Sequence, residues 1–318
     1  MALNNKPGVS KETRDKILAL KYGDDYNPIE HQEKKNILLV VHKKHGIVIS
    51  DTPFFMSLTE TIQHVVADYG YSLKILHVND SVSTKTKKEN IIQQDALGFL
   101  LLGTELQDSD IEYYKGLKKP LVIIDSWFPN FDCDSVLMNN CNGIYQALNY
   151  AKSKGHKKIG FLKSSVCCNN FIERLEAFQF YSKKLGLKVK DQYIFEMPCT
   201  SEGVFNGMVE KLKELSEEKD FPTLFICSND IMAIGLINAA NSCNVRIPED
   251  ISVIGFDDMP IANYLQPPLT SIQIDQKEIG VQSISLLLNK INNSISQGKG
   301  MLIQVGVKLI ERDSVKEL

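Results

Sequence analysis

The chain has 318 residues, 43% hydrophobic and 24% charged, with a formal net charge of −3. That is ordinary globular composition, long enough for two lobes with cores of their own. The charge excludes a nucleic-acid surface spread over the whole molecule, and no apolar run is long enough to span a bilayer.

The first predicted element is a helix in "MALNNKPGVSKETRDKILAL". Pro7-Gly8 marks a turn, Ser10 can cap the free amides, and Glu12 suits the positive helix end. Ile17 and Leu18 form an apolar edge that one isolated helix cannot bury. A charged, Pro-broken linker, "YNPIEHQEKK", follows. The first 35 residues carry seven Lys/Arg and six Asp/Glu, a near balance unlike the footprint of a DNA-binding domain. The start has no basic segment followed by an apolar one, so the protein is expected in the cytoplasm. Seven cysteines without a C-x-x-C pair are then expected as reduced thiols.

From "NILLVV" onward strands and helices alternate. "FFMSLTETIQHVVADYG" places Phe55, Leu58, Ile62, Val65, Val66 and Tyr69 at helical spacing, with Gly70 at the stop. The strands "YSLKILHV", "LGFLLLG" and "PLVIID" follow, then the helix "GIYQALNYAKSKG". Beyond it "KIGFLK", "QYIFEM", "TLFICS" and "SVIGFD" are strands, separated by three helical stretches. A long helix from about Lys277 to Ser296 and a single strand "LIQVGVKLI" close the chain. Apolar strands alternating with helices predict α/β architecture, with two doubly wound parallel sheets in two lobes.

In such sheets ligands lie outside the carboxyl ends of the strands. Those ends offer Asp125, Asn229 and Asp257, and the helix after "GFLK" begins with Asn169 and carries Arg174. Arg174 near a helix start opposes the dipole, which makes sense if a ligand or an acid faces it; the plain alternative is a solvated arginine beside Glu173 and Glu176. Asn229 is also an ordinary cap. Phe54 and Phe55 either pack into the lobe together or leave one ring exposed, and Trp127 either stacks on a ligand or anchors its loop. His42 and His45 flank two lysines without a third metal ligand nearby, so a solvated loop is expected and no metal site. Phosphate-loop, dinucleotide and nucleophile-elbow patterns are absent. Neither a cofactor nor an enzyme is therefore expected. Amides, carboxylates, one arginine and rings around a cleft suit a polyhydroxyl ligand.

The pieces "SNDIMAIG", "IPEDISVIGFDD", "PPLTSI" and "GVKLIERDSV", with "KGHKKIGFL" and "ERLEAF" at their places, resemble the lactose-repressor (LacI/GalR) family of bacterial transcription regulators. The likeness runs from about Lys35 to the end. It implies a periplasmic-binding-protein-like (type I) pair of lobes joined by a multi-strand hinge. It assigns 1–34 to a remnant of the helix-turn-helix headpiece with its linker, and 35–318 to the effector-binding domain. The N-lobe is expected at about 35–157 and 272–298, and the C-lobe at about 158–271 and 299–318. The family's recognition helix lies just upstream of the residues matched here, so operator DNA is an expected partner only with an upstream headpiece. The resemblance further implies a homodimer and a sugar-like effector between the lobes. Asn229, Asp257 and Arg174 match the family's effector-contacting positions well, while Asp125, Phe54 and Phe55 match more loosely. The alternative is a sugar-binding protein of a transport or chemosensing system with the same fold.

Overall fold

The computed structural model describes residues 16, 20, 35–51, 54–79, 89–215, 221–293 and 300–318. Within 1–34 only Lys16 and Leu20 are described, both helical, so the capped opening helix and the headpiece reading lie outside the described residues.

The first sheet is built from β1 (Lys35–Lys43), β2 (Tyr71–Asn79), β3 (Gly98–Leu102), β4 (Leu121–Ile124) and β5 (Asp134–Met138), in the order β2-β1-β3-β4-β5. The second uses β6 (Ile159–Ser164), β7 (Ile194–Met197), β8 (Leu224–Cys227), β9 (Ser252–Asp257) and β10 (Thr270–Ile274), in the order β7-β6-β8-β9-β10. The two halves thus repeat one topology, with β4 and β9 in equivalent places. Each sheet gains a sixth strand: β11 (Leu302–Val305) lies parallel to β5, and β12 (Val307–Ile310) antiparallel to β10. The order reverses between β1 and β3 in one sheet and between β6 and β8 in the other, the switch points where such sheets open a crevice.

The strands read as apolar runs because both faces are covered. In β1, Ile37, Leu39 and Val41 pack into one core cluster while Leu38 and Val40 pack into another. Helices α1 (Ile47–Asp51), α2 (Phe54–Asp68) and α7 (Gln276–Asn293) belong with the first sheet. The second carries α3 (Asn140–Ser153), α4 (Asn169–Leu185), α5 (Ser201–Leu215) and α6 (Asp230–Ser242). At Gly235 of α6 a Cβ would sit 2.5 Å from the Ser201 carbonyl oxygen of α5, so only glycine permits that helix contact. No helix among the described residues is long and apolar enough to cross a membrane.

The lobe boundaries differ from those expected. Among the described residues the chain crosses between the sheets at Asn139, Asp275 and Gly306. Helix α3, expected in the N-lobe, packs on α4 and β12 of the second lobe, and β11, expected in the C-lobe, pairs with β5 of the first. The physical reason is that two crossings are helix caps: Asn139 accepts from Asn142 N and Asp275 from Glu278 N. The third, Gly306, breaks what reads as one strand into two. β5 and β10 are strands that sequence reading passes over. Tyr69, expected on the buried face of α2, is 59% exposed.

Candidate functional site

Strand ends from both sheets meet at one cavity. It is lined by Val48, Phe54, Phe55, Thr104, Asp125 and Met138 from the first lobe, and by Cys168, Asn170, Phe171, Arg174, Asn229 and Asp257 from the second. Its volume, about 30 Å³, is room for no more than a few waters.

Asp125 follows β4, and Asp257 ends the equivalent strand β9. Both hold positive φ, 66° and 107°, a conformation costly for a residue with a Cβ and concentrated at functional sites. Asp125 is buried; Thr104 donates to its Oδ2 at 2.5 Å and Asn170 to its Oδ1 at 3.1 Å. Burial drives its pKa up to about 7, against the pull of those two bonds and of Arg174. Burial likewise raises Asp257 to about 6, and Arg174 opposes it.

Arg174 is 3% exposed, so it is not a solvated arginine. Its Nε donates to Asn140 Oδ1 at 2.8 Å, its Nη1 to the Ser228 carbonyl at 2.5 Å, and its Nη2 lies 3.4 Å from Asp257 Oδ1. The guanidinium carbon sits 3.6 Å from the Phe256 ring centre, a cation–π contact that holds the fork flat. An acid does face this arginine, and the dipole argument explains its place. Asn229 spends its carbonyl oxygen as the cap of α6, accepting from Met232 N at 3.0 Å, and its amide points at Cys199 Sγ, 3.6 Å away. The adjacent Asp258 is held by Arg312 at 2.7 Å and Gln273 at 2.9 Å.

Phe54 and Phe55 are both buried, packed edge to face with centres 4.9 Å apart, and both reach the cavity wall. Trp127 and Asn169 do not line it. They border a separate cavity of about 560 Å³, with Gln107, Asp108, Ile172 and Glu176 among its other walls. Asn170, which opens the helix after "GFLK" together with Asn169, belongs to the inner site, and so does Thr104, which sequence reading passes over although it follows a strand end, the signal that finds Asp125. His42, expected in a solvated loop, is buried with Nδ1 2.7 Å from the Tyr114 hydroxyl. Carboxylates, amides and a fixed guanidinium give the cleft both donors and acceptors for neighbouring hydroxyls.

Residues 148–315 match the family model described as a periplasmic binding protein-like domain. The HTH-type transcriptional repressor CytR of Escherichia coli is 30% identical over 328 residues, covering 100% of this chain and 92% of that protein. The HTH-type transcriptional repressor PurR of Mannheimia succiniciproducens is 28% identical over 320 residues, covering 99% and 93%. A LacI family transcriptional regulator from Enterococcus faecalis, solved with bound ribose, shares the fold at a TM-score of 0.72 and 24% identity, over 89% of this chain and 100% of that one.

Proposed function

The chain belongs to the LacI/GalR family of bacterial transcription regulators, and on that premise we propose that its lobes sense a small sugar or sugar derivative and pass the signal to operator DNA as a homodimer. The observation that carries this reading is the pair of carboxylates at equivalent strand ends, Asp125 and Asp257, one from each lobe, with Arg174 between them. The ribose bound to the Enterococcus faecalis regulator of the same fold supports a polyhydroxyl ligand. A sugar ring needs more room than a few waters, so its entry goes with separation of the lobes about the three crossings, a hinge motion.

A thermal-shift screen of sugars, sugar phosphates, nucleobases and amino acids, followed by titration of the best hit, tests the site. Losing one partner of a buried polar contact costs about 1–3 kcal/mol, so Asp257→Ala should weaken binding roughly 5- to 150-fold. Arg174 keeps Asn140 and Ser228 as partners in that variant, so the fold should persist. Equal affinity in Asp257→Ala and Arg174→Met would place the site elsewhere. A hit that is only a nucleobase or an amino acid would remove the sugar assignment and leave the effector reading standing.

Symmetric dimers are the commonest assembly, and operator recognition by two half-sites calls for one. Light scattering at micromolar concentration should give twice the chain mass without DNA. A strictly monomeric mass would count against the dimer.

A further inference from the structure

Across the mouth of the cleft the two lobes are joined by their own side chains. Trp127, in the loop after β4, donates its indole N–H to Glu173 Oε1 at 2.6 Å. Asn169 donates to Ser126 Oγ at 2.9 Å and to the Trp127 carbonyl at 2.8 Å. Asn170 reaches the Asp125 carbonyl at 3.1 Å. One side of this seam is residues 125–127 of the first lobe, and the other is the start of α4 in the second. Glu173 also faces inward: its Oε2 accepts from Asn140 Nδ2 at 2.8 Å, and Asn140 Oδ1 accepts from Arg174 Nε at 2.8 Å. Asn140 is the first residue of α3, directly after the crossing at Asn139.

We infer that Glu173 is a positioning residue of an interlobe latch, which holds the lobes shut through Trp127 and sets the Arg174 guanidinium through Asn140. The latch stands on these contacts alone. Its consequence for the effector, whose entry needs the lobes apart and therefore the Trp127–Glu173 bond broken, rests on the proposed function. Both oxygens of Glu173 accept an N–H, which a carboxylate can do and an amide cannot. In Glu173→Gln one of the two donors therefore faces an NH2. Asn140 cannot turn round to compensate, because Arg174 holds its oxygen.

Trp127 is the only tryptophan in the chain, so its fluorescence reads the latch without any ligand. Hydrogen bonds to charged groups carry enough energy for their loss to move the closed-to-open ratio roughly tenfold toward open. Glu173→Gln should then shift the emission to the red, raise acrylamide quenching, and enlarge the radius of gyration in X-ray scattering. Trp127→Phe, which keeps a ring and loses the N–H, should expand the molecule in the same way, and it decides the question should Glu173→Gln fail to fold. Glu210→Gln, on the exposed side of α5 and in neither cavity wall, should leave both readings unchanged. Emission and radius in Glu173→Gln equal to the parent's, or no expansion in Trp127→Phe, would overturn the latch. Neither result touches the Asp257 titration, so failure of the latch and failure of the effector site are distinguishable.

Discussion

Glu105→Ala will destabilise the effector domain by about 2–6 kcal/mol, because it leaves buried backbone donors without an acceptor at about 1–3 kcal/mol each. The Glu105 side chain is completely buried beneath the loop that follows β1. Its Oε2 accepts from the backbone N–H groups of Lys44, His45 and Gly46 at 2.8–3.1 Å, and its Oε1 from those of Val48 and Ile49 at 3.0 and 3.1 Å. These are the free amides of a tight turn and of the first turn of α1. The turn depends on Gly46, whose φ of 75° suits glycine. Removing the carboxylate leaves five donors without their acceptor, two of them in the dry interior. Burial alone would raise the pKa of Glu105, but the amides of Gly46, Ile49 and His45, with the His45 ring, outweigh it and hold it below the ordinary value. A depressed folded pKa gives stability that is present above the unfolded pKa and is lost as pH falls through the folded one. Glu105→Gln should therefore lose part of the parent's sensitivity to acid. Urea titrations measure both effects, and a loss under about 1 kcal/mol in Glu105→Ala would show that water replaces the carboxylate at little cost. Because α1 brings Val48 to the cavity wall, the same variant should also loosen the effector site.

Most of the fold is legible in the sequence wherever the signal is local. The apolar runs of β1, β3, β4, β6, β8 and β9 stand out because parallel strands are covered on both faces. β5 is missed because its apolar run in "DSVLM" is only Val136 to Met138, after the polar Asp134 and Ser135. Both are buried, and Lys290 of α7 pairs with Asp134 at 2.8 Å, a partner more than 150 residues away. "LIQVGVKLI" reads as one strand because nothing local says that Gly306 passes between sheets. The strand-end rule finds Asp125, Asn229 and Asp257, and the misplaced charge of Arg174 points to the acid that faces it. What the sequence cannot show is which group completes each contact. Glu105 looks like any surface glutamate in "LLLGTEL" until the turn at 44–46 folds over it. Trp127 reads equally as a stacking ring or a loop anchor until α4 presents Glu173 to its N–H. Both depend on where two distant segments meet, and no periodicity encodes that.

Between pH 6.5 and 8 the stability of the domain should fall by about 2–3 kcal/mol, at about 1.4 kcal/mol per pH unit for each proton held by the folded state alone. Three carboxyls produce this. Burial raises Asp230 to about 8, with the neighbouring Asp257 adding to it; Asp125 stands at about 7 and Asp257 at about 6. A folded pKa above the unfolded value of 3.8 means that the folded state keeps a proton the unfolded chain has released. The share of stability these three supply is fully present at low pH and declines as pH rises through the folded values. His156 works the other way, since burial lowers its pKa, but only below its ordinary value of 6.5. The buried cysteines, whose ordinary value is 9.0, act above the window. Asp230 dominates the upper half of the range and has no room to relax: a Cβ on Gly255 would lie 2.1 Å from its Oδ1. Its Oδ2 accepts from Met259 N at 2.7 Å, and its Oδ1 accepts from the Ser271 hydroxyl at 2.6 Å. An amide fits the same places, its oxygen accepting from Met259 and its NH2 donating to Ser271 Oγ once that hydroxyl turns its own proton away. Asp230→Asn should therefore flatten the slope by about half and be the more stable protein at pH 8. Urea unfolding at pH 6.5 and at pH 8 decides it. A parent whose stability is level or rising across that window would show that these aspartates are ionised in the fold.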